Sequence, residues 1–297
     1  MFADDNSPTT SHKDPVVLQE KIQNDGNLVT NWFSRNDISC SGEKTKLLFL
    51  GTRARRANMN FAPSVNICEQ EIQESSSEKL LGIVINNTLT WKHQLYGDEE
   101  NQGLIPALSQ GIGMLKKLRK FVPDGKFSQL IASLFTSKLS YCLNVFGGVW
   151  DIPGVQDGTS IKTSITKQDM RRLQVLQNKT MRLEIKSGYE ISTMELLSKT
   201  RKLSVHQMVA QSMAVQVYNV FKSQLPKYHH DRLFNGRMRN AANQRPECKL
   251  SLGRGGFFYQ GSRIWSALPE SVRNARSVDI FKKQCKKWIQ ANIKIRP

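Results

Sequence analysis

No apolar run in these 297 residues approaches the length of a membrane span. That absence argues against a transmembrane helix. Cysteine is scarce: Cys40, Cys68, Cys142, Cys248 and Cys285 are far apart, odd in number, and form no CxxC. A zinc site or a disulfide framework gets no support from that pattern. The opening "MFADDNSPTT" lacks the basic-then-apolar order of a secretory leader. An intracellular, reducing compartment is therefore expected. No Ser-His-Asp or Cys-His arrangement can be argued from spacing, and the five histidines are scattered. Acidic residues run short in one region only. Residues 1–100 hold ten Lys/Arg and fourteen Asp/Glu, whereas 101–297 hold 33 Lys/Arg against 11 Asp/Glu.

What is present follows from that asymmetry. A formal charge of +18 concentrated in the C-terminal two-thirds suits a polyanionic partner. Hydrophobic content of 39% is enough for a packed core. "DPVVLQEKIQNDGNLVTNWFSRN" reads as a helix, capped by Asp14 with Pro15 in its first position, and Gly26 weakens its middle. "TKLLFLG" (45–51), "SVNICEQEI" and "EKLLGIVINNTLTW" (78–91) read as short strands, the last turning at Asn86-Asn87. Four amphipathic helices follow, over 104–122, 125–150, 167–185 and 203–225. The Gly/Ser/Thr-rich stretch 151–166 between them reads as a linker. "GRGGFF" (253–258) lacks the G-K-[ST] of a phosphate loop and is expected to be a loop packed on the last helix. That helix, "SVDIFKKQCKKWIQANI", sets Phe281, Cys285, Trp288 and Ile289 on one face and four lysines on another.

The chemistry begins at "FADD". Adjacent aspartates on a turn suit two-metal phosphoryl transfer, with Asp4 and Asp5 as Mg²⁺ ligands. The plain alternative is an acidic terminus. The order of the following motifs distinguishes the two. "FADD", "WFSRNDISCSGEKTKLLFLG" and "KLLGIVINNTLTW" resemble, in that order, the catalytic hairpin, the segment after the palm helix and the primer-grip hairpin of non-LTR (LINE-type) retrotransposon reverse transcriptases. "GIGMLKKLRKFVP", "YCLNVFGGVW", "RLQVLQNKTMRL" and "WSALPESVRNARSVDIFKKQCKKW" are similar to the thumb and C-terminal region of chicken-repeat-type elements.

The resemblance implies an RNA-directed DNA polymerase acting with Mg²⁺, an RNA template and a DNA primer. It implies catalytic roles for Asp4, Asp5 and Lys44, the last beside the triphosphate. Gly82 and Trp91 would lie at the primer grip. It makes the helix bearing Lys116, Lys117, Arg119 and Lys120 a thumb whose cations meet duplex phosphates. Arg171 and Arg172 would extend that stripe. The family's third palm carboxylate and its fingers precede the matched segment. "NSPTTSH" also stands where the family continues with an apolar strand. The chain is therefore expected to be catalytically incomplete. A non-catalytic nucleic-acid-binding helical protein derived from such an element is the alternative. The expected fold is α+β: a partial palm (1–91), thumb-like helices (92–150), a linker (151–166) and a basic helical C-terminal region (167–297). No membrane partner is expected.

Overall fold

A computed structural model describes residues 6–149, 152, 165–235 and 256–295. The fold is mixed α+β, predominantly helical, with two small antiparallel sheets. The chain divides into two compact units, Met1–Gln94 and Leu95–Pro297.

The first unit opens with α1 (Pro15–Arg35). Asp14 accepts from the Val16 N–H, and Pro15 costs nothing at a position whose N–H has no helical partner. A one-turn helix, α2 (Arg53–Ala57), precedes the hairpin β1 (Ser64–Ile67) and β2 (Gln70–Gln73). The sequence suggests one strand where the structure has two. The pair is joined by Cys68 and Glu69, with φ of 51° and 63°, a tight turn lacking the Asn-Gly that would announce it. Val65, Ile67 and Ile72 alternate inward and meet Leu47, with Ile22 of α1 packed against them.

Gly26 is the buried residue of α1, and a Cβ there would stand 2.6 Å from the Ile67 terminal methyl. The weak point of the helix is the notch into which β1 packs. Gln23 holds the same contact by donating to the Asn66 carbonyl at 2.9 Å and accepting from its N–H at 2.8 Å. Residues 45–51 form no strand. Leu47 makes only an isolated parallel bridge to Glu74. Arg56 ties that segment down, donating to the Phe49 carbonyl and pairing with Glu74 at 2.7 Å.

The second hairpin is β3 (Ser77–Leu80) and β4 (Ile83–Asn86). Its turn is Leu81-Gly82, at φ of 47° and 81°, and not Asn86-Asn87. The Asn86 amide accepts from the Thr90 N–H at 2.7 Å and donates to the Thr90 hydroxyl at 2.6 Å. That closure ends β4 and leads into α3 (Lys92–Tyr96), so no return strand forms.

The helical unit runs α4 (Leu104–Leu118), α5 (Asp124–Ile131), a π-helical turn (Ala132–Thr136), α6 (Ser137–Ser140), α7 (Leu143–Phe146), α8 (Lys167–Ile185), α9 (Thr193–Thr200), α10 (Val205–Ser223), α11 (Lys227–His230), a second π-helical turn (Asp231–Asn235), α12 (Phe257–Ala267), α13 (Glu270–Arg273) and α14 (Val278–Asn292). The expected helix over 125–150 is interrupted: Tyr141 is extended and Cys142 adopts φ of 50°. Phe257 and Phe258, expected at the end of a loop over 253–258, instead begin the helix α12. Tyr259, Gln260, Ile264 and Trp265 of α12 are buried.

α10 is the centre of this unit. Val205, Val209, Ala210, Met213, Ala214 and Val217 are buried around most of its circumference, and it packs on α7, α8, α12 and α14. Phe281 of α14 is fully buried and stacks on Tyr218 at 4.3 Å. A helix so enclosed cannot expose its first-turn N–H groups to water. Gln174 of α8 accepts from the Val205 N–H at 2.9 Å, and Ser204 and Gln207 form a capping box.

His206 is buried in the same turn and donates to the Lys294 carbonyl. Burial pushes its pKa down to about 4, and that hydrogen bond opposes the shift only in part. The folded state therefore keeps a neutral imidazole that the unfolded chain protonates below about pH 6.5. Stability is fully present above that value and is lost as pH falls towards 4, by about 3 kcal/mol in total. Urea unfolding of the helical unit between pH 7 and 4 should show this decline. His206→Gln, which keeps a donor without a titrating ring, should flatten it.

Candidate nucleic-acid interface

α4 presents two faces. Leu104, Leu108, Gly111, Ile112 and Leu115 are buried, stepping along the helix by three and four. Lys116, Lys117 and Lys120 fall on the opposite side and are exposed. Among the described residues none of the three makes an ion pair.

Arg119 stands four residues beyond Leu115 and continues the buried stripe. Its side chain is 11% exposed. The guanidinium donates to the Leu183 carbonyl at 2.8 Å, pairs with Asp124 at 2.5 Å and lies 4.5 Å from the centre of the Phe127 ring. It fastens α4 to α5 and to the end of α8, and has no donor fork left for a phosphate. The Arg119 named for a duplex contact thus spends its donors inside the protein here. Arg119, then Lys186, hold the Asp124 carboxyl below the usual carboxylate range. The +4 step from Leu115 is the signal in the sequence, obscured by the three neighbouring lysines.

α8 begins with a capping box, Thr166 accepting from the Asp169 N–H while the Asp169 carboxylate accepts from the Thr166 N–H. Its inner face buries Met170, Leu173, Leu176 and Met181 together with the amides of Gln174, Gln177 and Asn178. Arg171 is exposed on the outer face and unpaired among the described residues.

Arg172 is also exposed, but its guanidinium donates to the Tyr96 hydroxyl at 2.7 Å, and that hydroxyl donates to Asp169 at 2.5 Å. Burial and the adjacent Asp169 raise the Tyr96 pKa. For Asp169, burial pushes upward. Hydrogen bonds from Thr166 and Tyr96, with Arg172 alongside, outweigh it and leave the carboxyl lowered. Arg182, on the same outer face, donates to the Gly188 and Ile191 carbonyls at 3.0 Å each. The outward cations at the end of α4 and along α8 therefore include Lys116, Lys117, Lys120, Lys167 and Arg171, with Arg172 partly committed.

A cleft of about 380 Å³ opens beside the first turn of α14, lined by Tyr218, Asn219, Lys222, Arg276 and Ser277. Lys222 and Arg276 are widely separated in sequence, and only the packing of α10 against α14 brings them to one place.

In the first unit Lys44 is exposed in the segment before Leu47. Gly82 is exposed, and its positive φ shows why glycine stands there: the two-residue turn requires it. Trp91 is half-buried between Thr90 and α3. Asp4 and Asp5 lie outside the described residues, as do most of the 151–166 linker and the glycines Gly253 and Gly255. Phe257 and Phe258 begin α12 and touch edge-to-face, with the His229 ring 5.3 Å from Phe258. They are therefore packed within the protein. No helix among the described residues is long and apolar enough to cross a membrane. Comparison with family models, curated proteins and solved structures finds no match to this chain.

Arg119→Ala should lower stability by about 2–4 kcal/mol, because it strands buried carbonyls and leaves Asp124 with one partner fewer. Lys116→Gln, Lys117→Gln and Lys120→Gln should each stay within about 0.5 kcal/mol of the parent chain. Urea unfolding followed by circular dichroism separates the two classes.

Proposed function

We propose that this chain is a nucleic-acid-binding part of a non-LTR retrotransposon reverse transcriptase. It holds an RNA–DNA duplex along the outer faces of α4 and α8 and does not by itself extend a primer. The observation that carries this reading is the sorting of cations on α4. Arg119 turns inward and is fully engaged, while Lys116, Lys117 and Lys120 turn outward with no acidic partner among the described residues. The order of motifs from "FADD" to "KKQCKKW" supports the same origin.

Contacts of lysine with phosphate fix a duplex in place and read no sequence. They also release counterions, so affinity falls steeply with salt. Arg171 extends the track along α8, and Lys222 and Arg276 add a second cationic patch beside α14. In the first unit the resemblance gives Asp4 and Asp5 the Mg²⁺ that would activate a primer hydroxyl. Both carboxylates lie outside the described residues. The resemblance places the third palm carboxylate ahead of the matched segment.

Fluorescence anisotropy with a labelled RNA–DNA duplex tests the binding. The full chain should bind at about 50 mM salt, and the log–log dependence of affinity on salt should be steep. Replacing Lys116, Lys117 and Lys120 together by Gln should flatten the slope by about one for each lysine that meets a phosphate. No binding at low salt, or a slope unchanged in the triple variant, would contradict the reading. Primer extension on an RNA template with Mg²⁺ should give no product. Template-dependent product abolished by Asp4→Ala would overturn the non-catalytic part alone.

A further inference from the structure

Cys40 and Cys68 are 28 positions apart, in a chain with only five cysteines. The fold of the first unit brings them together. The segment after α1 runs back over the β1–β2 turn. Cys40 packs on the cluster formed by Leu47, Val65, Ile67 and Ile72, and Cys68 directly follows Ile67. Two residues on, Gly42 is buried so closely against the turn that a Cβ would stand 2.2 Å from the Gln70 side-chain oxygen. The two thiols themselves are in hydrogen-bonding contact. Both are free, Cys68 exposed and Cys40 half-buried.

We propose that Cys40 and Cys68 are a modification site: a dithiol that closes into a reversible intramolecular disulfide on reaction with a small-molecule disulfide such as oxidised glutathione. Cys68 is the thiol that reagent can reach. Its thiolate attacks one glutathione sulfur, the glutathione S–S bond breaks, and one glutathione leaves as thiolate. The Cys40 thiolate then attacks the Cys68 sulfur of the mixed disulfide and expels the second glutathione. Two protein thiols are oxidised, one glutathione disulfide is reduced to two thiols, and the two protein protons end on the leaving sulfurs.

Closure needs the sulfurs to move from contact to about 2.05 Å. Both sit on a loop or a tight turn, outside regular strands and helices, where such a shift is accommodated. The neighbouring Cys40 thiol raises the Cys68 pKa, so closure is slow at neutral pH and accelerates as the medium becomes alkaline. The product pins the segment carrying Lys44 to the β1–β2 turn. None of this depends on the chain binding nucleic acid.

The test is a tryptic peptide map of the full chain after incubation with oxidised glutathione at mildly alkaline pH. Trypsin separates the two cysteines into Asn36–Lys44 and Ala57–Lys79. The expected result is one cross-linked pair of these peptides, lighter by two hydrogens than their sum and separated again by dithiothreitol. Cys285 serves as an internal control, since its thiol is buried and pushed up to about 12. In Cys40→Ser the glutathione adduct on Cys68 should rise from a trace to the dominant species. Persistent glutathione on Cys68 of the unsubstituted chain would overturn the proposal. So would pairing of either residue with another cysteine or another chain, or no oxidation of either.

Discussion

The helical unit depends on keeping the start of α10 satisfied without water. A helix buried on nearly all sides gains much apolar contact, but its first N–H groups and the carbonyls before it are sealed in with it. The unit answers with amides. Gln174 accepts from the Val205 N–H, Gln177 donates to the Leu203 carbonyl at 2.9 Å, and Gln207 closes the capping box and donates to the Ile293 carbonyl at 2.9 Å. One set of side chains thus links α8, the entry to α10 and the residue after α14. Loss of any one of these amides would leave a buried backbone group unpaired.

That commitment divides α8 into two faces with different tasks. The inner face carries apolar residues and uncharged amides. The outer face is where Arg171, Arg172 and Arg182 must lie. The same division holds on α4, except where Arg119 crosses it. A unit with so few acidic residues cannot pair all its cations internally. The remainder face solvent in the absence of a polyanion. This links the amide seam to the function proposed: packing determines which cations are structural and leaves the others outward.

Legibility follows local signals. α1 is readable because Asp14-Pro15 both caps it and fits its first position, and α8 because its apolar period runs unbroken over 167–185. The mixed α+β character is readable for the same reason. The hairpin turns are less so: Cys68 and Glu69 adopt positive φ with no turn-forming residue between the strands, and Leu81 precedes Gly82 where an Asn or Asp would announce the turn. α9 is short and easily missed, although Ser192 and Glu195 mark its first turn. α12 is obscured by the glycines before Phe257, which read as loop and hide the helical period that follows. Among the candidate site residues, charge alone does not separate Arg119 from Lys116, Lys117 and Lys120. Their places relative to Leu115 do.

The most direct measurement is a lysine footprint of the full chain with and without an RNA–DNA duplex. Acetylation of surface amines would be read residue by residue by mass spectrometry at low salt. Lys116, Lys117 and Lys120 should become protected when duplex is present, and that protection should disappear as salt is raised. Equal acetylation of these three lysines with and without duplex, while the duplex is bound, would contradict the duplex track along α4.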